Sequence, residues 1–198
     1  MKPEIEAKFL AVDHDALRLK LKEIGAECVQ PMRVMKRQGY DFTDGRLRKE
    51  KNGWVRVRDE ADKITMSYKQ LNNRELDGTH EVQLTIDNFE AAGEFLIALG
   101  LQRNVYQVTK RESWRLDGLE IELDEWPWAK PYIEMEGPDE ASLKDLAAKL
   151  DLDWATVCHG SVEIVHQGEY DVSDEDIYSI PVISFDEPIP DWLEKRRK

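Results

Sequence analysis

Cysteine is scarce here: Cys28 and Cys158 are too few for a disulfide framework and have no zinc-site spacing. A reducing cytoplasm is therefore the expected compartment. No apolar run approaches the roughly 20 residues of a membrane helix, and the N-terminus lacks a signal-peptide core, so no membrane association is expected. A Walker loop, a nucleophilic serine motif and a Gly-rich dinucleotide loop are also missing. The four histidines, His14, His80, His159 and His166, have no metal-ligand spacing and read as packing or surface groups. Positive charge is in deficit overall. A net charge of -13 argues against nonspecific binding to nucleic acid or anionic membrane.

What the chain does have is charge of both signs, in separate places. Charged residues make up 35% of 198, unusually many for a soluble globular chain. Between Arg33 and Arg74 stand twelve Lys or Arg and six Asp or Glu, whereas Glu169 to Asp191 holds eight acids and no base. A basic middle in an acidic protein suits a compact anion and repels extended polyanions; a solvated charged surface is the plainer alternative.

Three helices are predicted. The first runs from Asp13, as N-cap, to Ile24, with Gly25 as terminator; the second spans 89–99, capped by Asn88 and ended by Gly100; the third covers 140–150. Segments 3–10, 28–43, 54–59, 63–71, 80–86, 105–117, 119–126, 131–137 and 161–166 read as strands. Asn52-Gly53 and Asp117-Gly118 fit two-residue hairpin turns. The acidic tail from about 167 reads as an irregular wrap or flexible extension. Glu6, Asp13 and Gly25 recur 75 residues on as Glu81, Asn88 and Gly100, and Val34-x-Lys36-Arg37 recurs at an offset of 74 as Val108-x-Lys110-Arg111. Two β-α-β halves of one domain would give that pattern.

The strands alternate charge against apolar residues. Glu4, Glu6 and Lys8 share one face, as do Arg56 and Arg58; Lys63, Thr65, Ser67 and Lys69; Glu81, Gln83 and Thr85; Arg111, Ser113 and Arg115; Glu120, Glu122 and Asp124; and Glu134 and Glu136. Any one of these strands fits an ordinary solvated face. Together, with helices available to cover the apolar side, they predict a curled sheet with a charged lining. Acids holding cations and bases holding an anion suit polyphosphate chemistry, which rests on positioning and charge stabilisation. Lys110 has the opposite parity from Arg111 and is expected to face away.

Glu4-Ile5-Glu6-Ala7-Lys8 resembles the ExExK motif that opens CYTH proteins. In the family's order follow Arg56-Val57-Arg58, Lys69, Glu81, Lys110-Arg111-Glu112, Glu122-Leu123-Asp124-Glu125 and Ile133-Glu134-Met135-Glu136-Gly137. The resemblance covers about residues 3–166. It implies an α+β fold: an eight-stranded antiparallel β-barrel tunnel with helices packed outside, over 1–166, followed by an acidic extension at 167–198. It also implies a triphosphate held by Lys8, Arg56, Arg58, Lys69 and Arg111. Mg²⁺ or Mn²⁺ would be held by ligands drawn from Glu4, Glu6, Glu81, Glu122, Asp124, Glu134 and Glu136. Lys8, Glu4 and Glu6 are the candidate catalytic groups. Family members often carry a Ser-Tyr pair in the last strand, where this chain has Gly160-Ser161-Val162.

The expected activity is metal-dependent hydrolysis of a small triphosphate: inorganic triphosphate, thiamine triphosphate or a nucleoside triphosphate. The alternatives are a class IV adenylate cyclase and a noncatalytic polyphosphate- or nucleotide-binding module. A homodimer is the oligomeric state that the resemblance brings forward. Trp126-Pro127-Trp128 reads as a packed turn, with a place at a tunnel mouth as the alternative.

Overall fold

A computed structural model describes residues 2–73 and 75–198. The N-terminal strand is broken at Ile5 into β1 (Lys2–Glu4) and β2 (Glu6–Leu10). Next come α1 (His14–Glu23), β3 (Glu27–Phe42), α2 (Arg46–Lys51), β4 (Gly53–Asp59), β5 (Ile64–Leu71), β6 (Thr79–Ile86), α3 (Phe89–Ala98), β7 (Leu101–Leu116), β8 (Leu119–Glu125) and β9 (Tyr132–Glu136). The chain ends with α4 (Glu140–Lys149), a 3-10 turn (Trp154–Thr156), α5 (Glu163–Glu169), α6 (Asp174–Tyr178), β10 (Val182–Ile183) and α7 (Asp191–Glu194).

The sheet order is β1-β6-β5-β4-β3-β7-β8-β9-β2, antiparallel throughout, with β10 added in parallel to β7. Because β1 pairs with β6 and β2 with β9, one broken strand carries both edges of the sheet. Counting β1 and β2 as one strand, eight strands curl round a common interior, as the sequence led us to expect. The break suits a strand that must change partners, and Ile5 itself is bridged to neither neighbour's ladder. Its carbonyl instead accepts from Gly137 N at 3.1 Å.

The two halves seen in the sequence are β2-α1-β3 and β6-α3-β7, and their long strands pair with each other along most of their length. Asp13 caps α1 and Asn88 caps α3 through their side chains. Gly25 and Gly100 terminate them at φ 82° and 95°, a conformation that a Cβ disfavours. Asp117-Gly118 turns β7 into β8 with both residues at positive φ, as a type I′ hairpin requires.

The apolar faces point outward and are covered there. Leu17 and Leu21 of α1 and Leu143, Leu146 and Ala147 of α4 pack on Ala7, Phe9, Trp114, Ile121, Leu123, Ile133 and Met135, all buried. On the other flank, Leu96 of α3 packs with Tyr40, Val57 and Leu101. No helix among the described residues is long and apolar enough to cross a membrane.

Three local expectations are corrected. Asn52-Gly53 is not a hairpin turn, because the chain inserts α2 between β3 and β4 and Asn52 becomes its left-handed C-cap. Residues 161–166 are not a strand: Glu163, Ile164, Val165 and His166 are consecutively buried in α5. Position 158 keeps a single bridge to Lys8, and beyond it the chain turns across the barrel end, where packing overrides β-propensity. The tail is not irregular either. Tyr170, Ile177, Ile180, Ile183 and Leu193 form a buried cluster with Trp126, Tyr132, Ile164 and Val165. Its start was readable: Ser173 and Asp176 form a reciprocal capping box on α6.

Candidate active site

Strand parity sends one charged face inward, and the enclosed space is a cavity of about 250 Å³. That is near the small end of ligand pockets, roughly 300–1,000 Å³, and suits a compact ligand. Of the residues singled out in the sequence, Glu4, Glu6, Lys8, Arg56, Arg58, Lys69, Glu81, Arg111, Glu122, Glu134 and Glu136 line it. Asp124 lies behind the lining with no exposed surface, gripped by Arg111 through two hydrogen bonds of 2.7 and 2.5 Å. Lys110 faces outward, paired with Glu125 at 3.1 Å, as its parity predicted.

Among the residues singled out in the sequence, acids and bases meet in three groups. Lys8 on β2 lies 2.8 Å from Glu6 and 3.1 Å from Glu134. Burial opposes its charge, but Glu134 and Glu6 outweigh it and hold the ammonium above its ordinary pKa. Lys69 donates to both oxygens of Glu4 at 3.0 and 2.8 Å and lies 3.6 Å from Glu81. Arg111 gathers Asp124, Glu134 at 3.5 Å and Glu122 at 3.9 Å.

Within these groups the carboxyls differ. Burial pushes Glu4 up to about 8, against the pull of Lys69 and with its hydrogen bond to the neighbouring Glu81 adding to the rise. Burial works against the Glu81 charge as well, but the Glu4 hydrogen bond, Lys69 and Arg56 overcome it and bring Glu81 down to about 2. The two carboxyls titrate as a coupled pair, with Glu4 raised and Glu81 lowered. Burial also lifts Glu122 to about 7, although Arg111 and a 2.6 Å bond from Ser113 oppose it. Glu134 is held below the usual range because Lys8 and Arg111 overcome its burial.

Sequence reasoning missed several lining residues. Glu60 accepts from Arg58 at 2.9 and 2.6 Å and from Thr65 at 3.1 Å, and it continues the Arg56–Arg58 parity by one step. Tyr132 likewise continues Glu134 and Glu136. Arg37 on β3 is the repeat counterpart of Arg111. Trp126 is buried at the inner end of the tail cluster and lines the cavity, so the tunnel-mouth alternative describes it better than a packed turn alone. Arg48, whose backbone N–H is fixed by the Asp41 carboxylate at 3.1 Å, and Tyr178 of the tail had no local signal.

Among the described residues, no three His, Cys, Asp or Glu side chains converge as a metal site. Carboxylate pairs are present instead. Mg²⁺ keeps several waters and commonly takes one or two carboxylates plus substrate oxygens, so a pair fits it. Glu4 and Glu81 are such a pair, in contact with each other, and among the described residues Glu81 Oε1 accepts no hydrogen bond, Arg56 Nη2 lying 3.5 Å from it.

The sequence model of the CYTH domain matches residues 2–157. This chain belongs to the CYTH domain family. Solved structures agree on the fold. A candidate adenylate cyclase from Vibrio parahaemolyticus superposes with a TM-score of 0.70 at 20% identity, covering 84% of this chain and 98% of that one. A Pyrococcus horikoshii protein gives 0.67 at 18%, covering 82% and 98%. A candidate adenylyl cyclase from Hippeastrum, described as having a dominant triphosphatase activity, gives 0.58 at 15%, covering 90% and 95%. At such identities the likeness carries the CYTH fold alone. No curated protein matches the sequence. The matched CYTH segment stops before α5, so Tyr178 and the tail cluster lie beyond it.

Proposed function

We propose that this protein is a metal-dependent hydrolase of a small triphosphate, bound inside the charged barrel. The observation that carries the reading is the interleaving of Lys8, Lys69, Arg56, Arg58 and Arg111 with carboxylates in one enclosed cavity. An anion-binding pocket alone needs no such carboxylates, and membership of the CYTH family supports the same chemistry. The triphosphatase activity described for the Hippeastrum protein favours hydrolysis over cyclisation.

In this reading the guanidinium groups of Arg56, Arg58 and Arg111 hold phosphate oxygens through their planar forks. Lys8 stays protonated between Glu6 and Glu134, so its role is to neutralise charge on the reacting phosphoryl group rather than to act as a base. Glu4 and Glu81 would hold Mg²⁺ or Mn²⁺. Bound there, the ion would neutralise phosphate oxygens and lower the pKa of an associated water. Glu6 and Glu4 border the same space and would orient the attacking water. Its attack on the terminal phosphorus breaks the bridging P–O bond and releases orthophosphate.

The test incubates the purified protein with Mg²⁺ or Mn²⁺ and, separately, inorganic triphosphate, thiamine triphosphate and ATP, following orthophosphate, pyrophosphate and cyclic AMP. Orthophosphate that is lost in Glu4→Gln supports the hydrolase. Cyclic AMP with equal pyrophosphate from ATP would make it a cyclase. Binding without turnover would make it a noncatalytic module.

A further inference from the structure

Arg37 is a lumenal cation with no counterion among the described residues. Its side chain is almost wholly buried, yet it makes no ion pair with a carboxylate of the described residues, and none is among the main influences on its charge. Nη2 donates to Thr109 Oγ1 at 3.0 Å, the guanidinium lies 4.7 Å from the Trp126 ring, and Nε has no hydrogen-bond partner among the described residues. The contrast with its repeat counterpart is direct. Across the ladder from Arg111 stands Asp124, whereas across from Arg37 stands Arg58. Burial works against the Arg37 charge, and repulsion from Arg56, Arg58 and Arg111 adds to it.

A buried charge with neither counterion nor full hydrogen bonding destabilises the free protein. A polyanion in the cavity would remove that penalty, and the fork geometry of four neighbouring guanidinium groups matches phosphoryl oxygens. We propose that Arg37 is a phosphate-binding residue whose counterion is an anionic oxygen of the substrate. The proposal rests on the triphosphate reading and adds to it a site residue outside the resemblance. Trp126 in turn packs edge-on to His166 of α5, ring centroids 6.1 Å apart, so the tail backs this end of the site.

The experiment is calorimetric binding of inorganic triphosphate to the full chain, with thermal unfolding in its presence and absence, for wild type, Arg37→Met and Arg37→Lys. Arg37→Met should bind at least tenfold more weakly, lose most of the triphosphate-induced rise in Tm, and unfold without ligand no earlier than wild type. Arg37→Lys keeps the charge but loses the fork and the stacking, and should bind several-fold more weakly. Wild-type affinity in both variants overturns the proposal and leaves the triphosphate reading standing. A Met variant that is unstable or unfolded without ligand also overturns it, because the charge would then be serving the fold. Absence of triphosphate binding by wild type, with and without Mg²⁺, removes both readings together.

Discussion

The Tyr178 ring lies face-on to the Arg48 guanidinium, whose carbon is 3.5 Å from the ring centroid, and Arg48 also lies 5.2 Å from the Trp54 ring. One partner comes from the tail and the other from the short helix between β3 and β4, and all three line the cavity. Partly desolvated cation–π contacts are worth about 1 kcal/mol. On the proposed reading Arg48, as a cavity-lining cation, adds to triphosphate binding and this contact orders it, so Tyr178→Ala should weaken triphosphate affinity roughly three- to tenfold, with Tyr178→Phe close to wild type. Titration calorimetry distinguishes the two; equal loss in both would assign the effect to the hydroxyl and its contact with Glu163.

Lys8 separates two carboxylates, Glu6 and Glu134, in a nearly dry setting. Lys8→Met leaves them facing each other, and removing one partner of a buried ion pair costs about 3–5 kcal/mol. Urea unfolding of the variant against wild type checks this, and an unchanged stability would overturn the ion-pair argument.

Asp124 is a different case, since Arg111 occupies both of its oxygens. Asp124→Asn should lower stability by about 3 kcal/mol, a fall in Tm on the order of 6–12 °C for a chain of this size. Affinity for Mn²⁺, followed by electron paramagnetic resonance, should change little. A large loss of Mn²⁺ affinity with normal stability would restore Asp124 to the metal ligands.

The raised carboxyls give a signed pH dependence. A carboxyl whose folded pKa lies above its unfolded value takes up a proton on folding, so its contribution to stability is lost as pH rises through the folded pKa. With Glu4 at about 8 and Glu122 at about 7, stability in EDTA should fall as pH rises from the unfolded carboxyl value, about 4.3, to just above 8, the Glu122 share being lost by about 7. Glu4→Gln should flatten the upper part of that fall. On the proposed reading Mg²⁺ would compete with the Glu4 proton, so its affinity should rise over the same range. Thermal melts across pH, with and without Mg²⁺, test both signs.

Much of the barrel was legible in the chain itself. Strand parity is local: Glu4, Glu6 and Lys8 share a face whatever surrounds them, and each later strand repeats the rule. The caps Asp13 and Asn88 and the stops Gly25 and Gly100 are local too, which is why residue spacing alone marks the helices and the lumenal positions. Pairing across strands is not local. That Arg111 meets Asp124 while Arg37 meets Arg58 depends on register, which is fixed only when the apolar faces find their covering helices. The helical fate of residues 163–169 and the arrival of Tyr178 beside Arg48 likewise required the barrel end to exist first. The residue types set which charges could line a cavity; the tertiary structure decided which of them neutralise one another and which face the lumen unpaired.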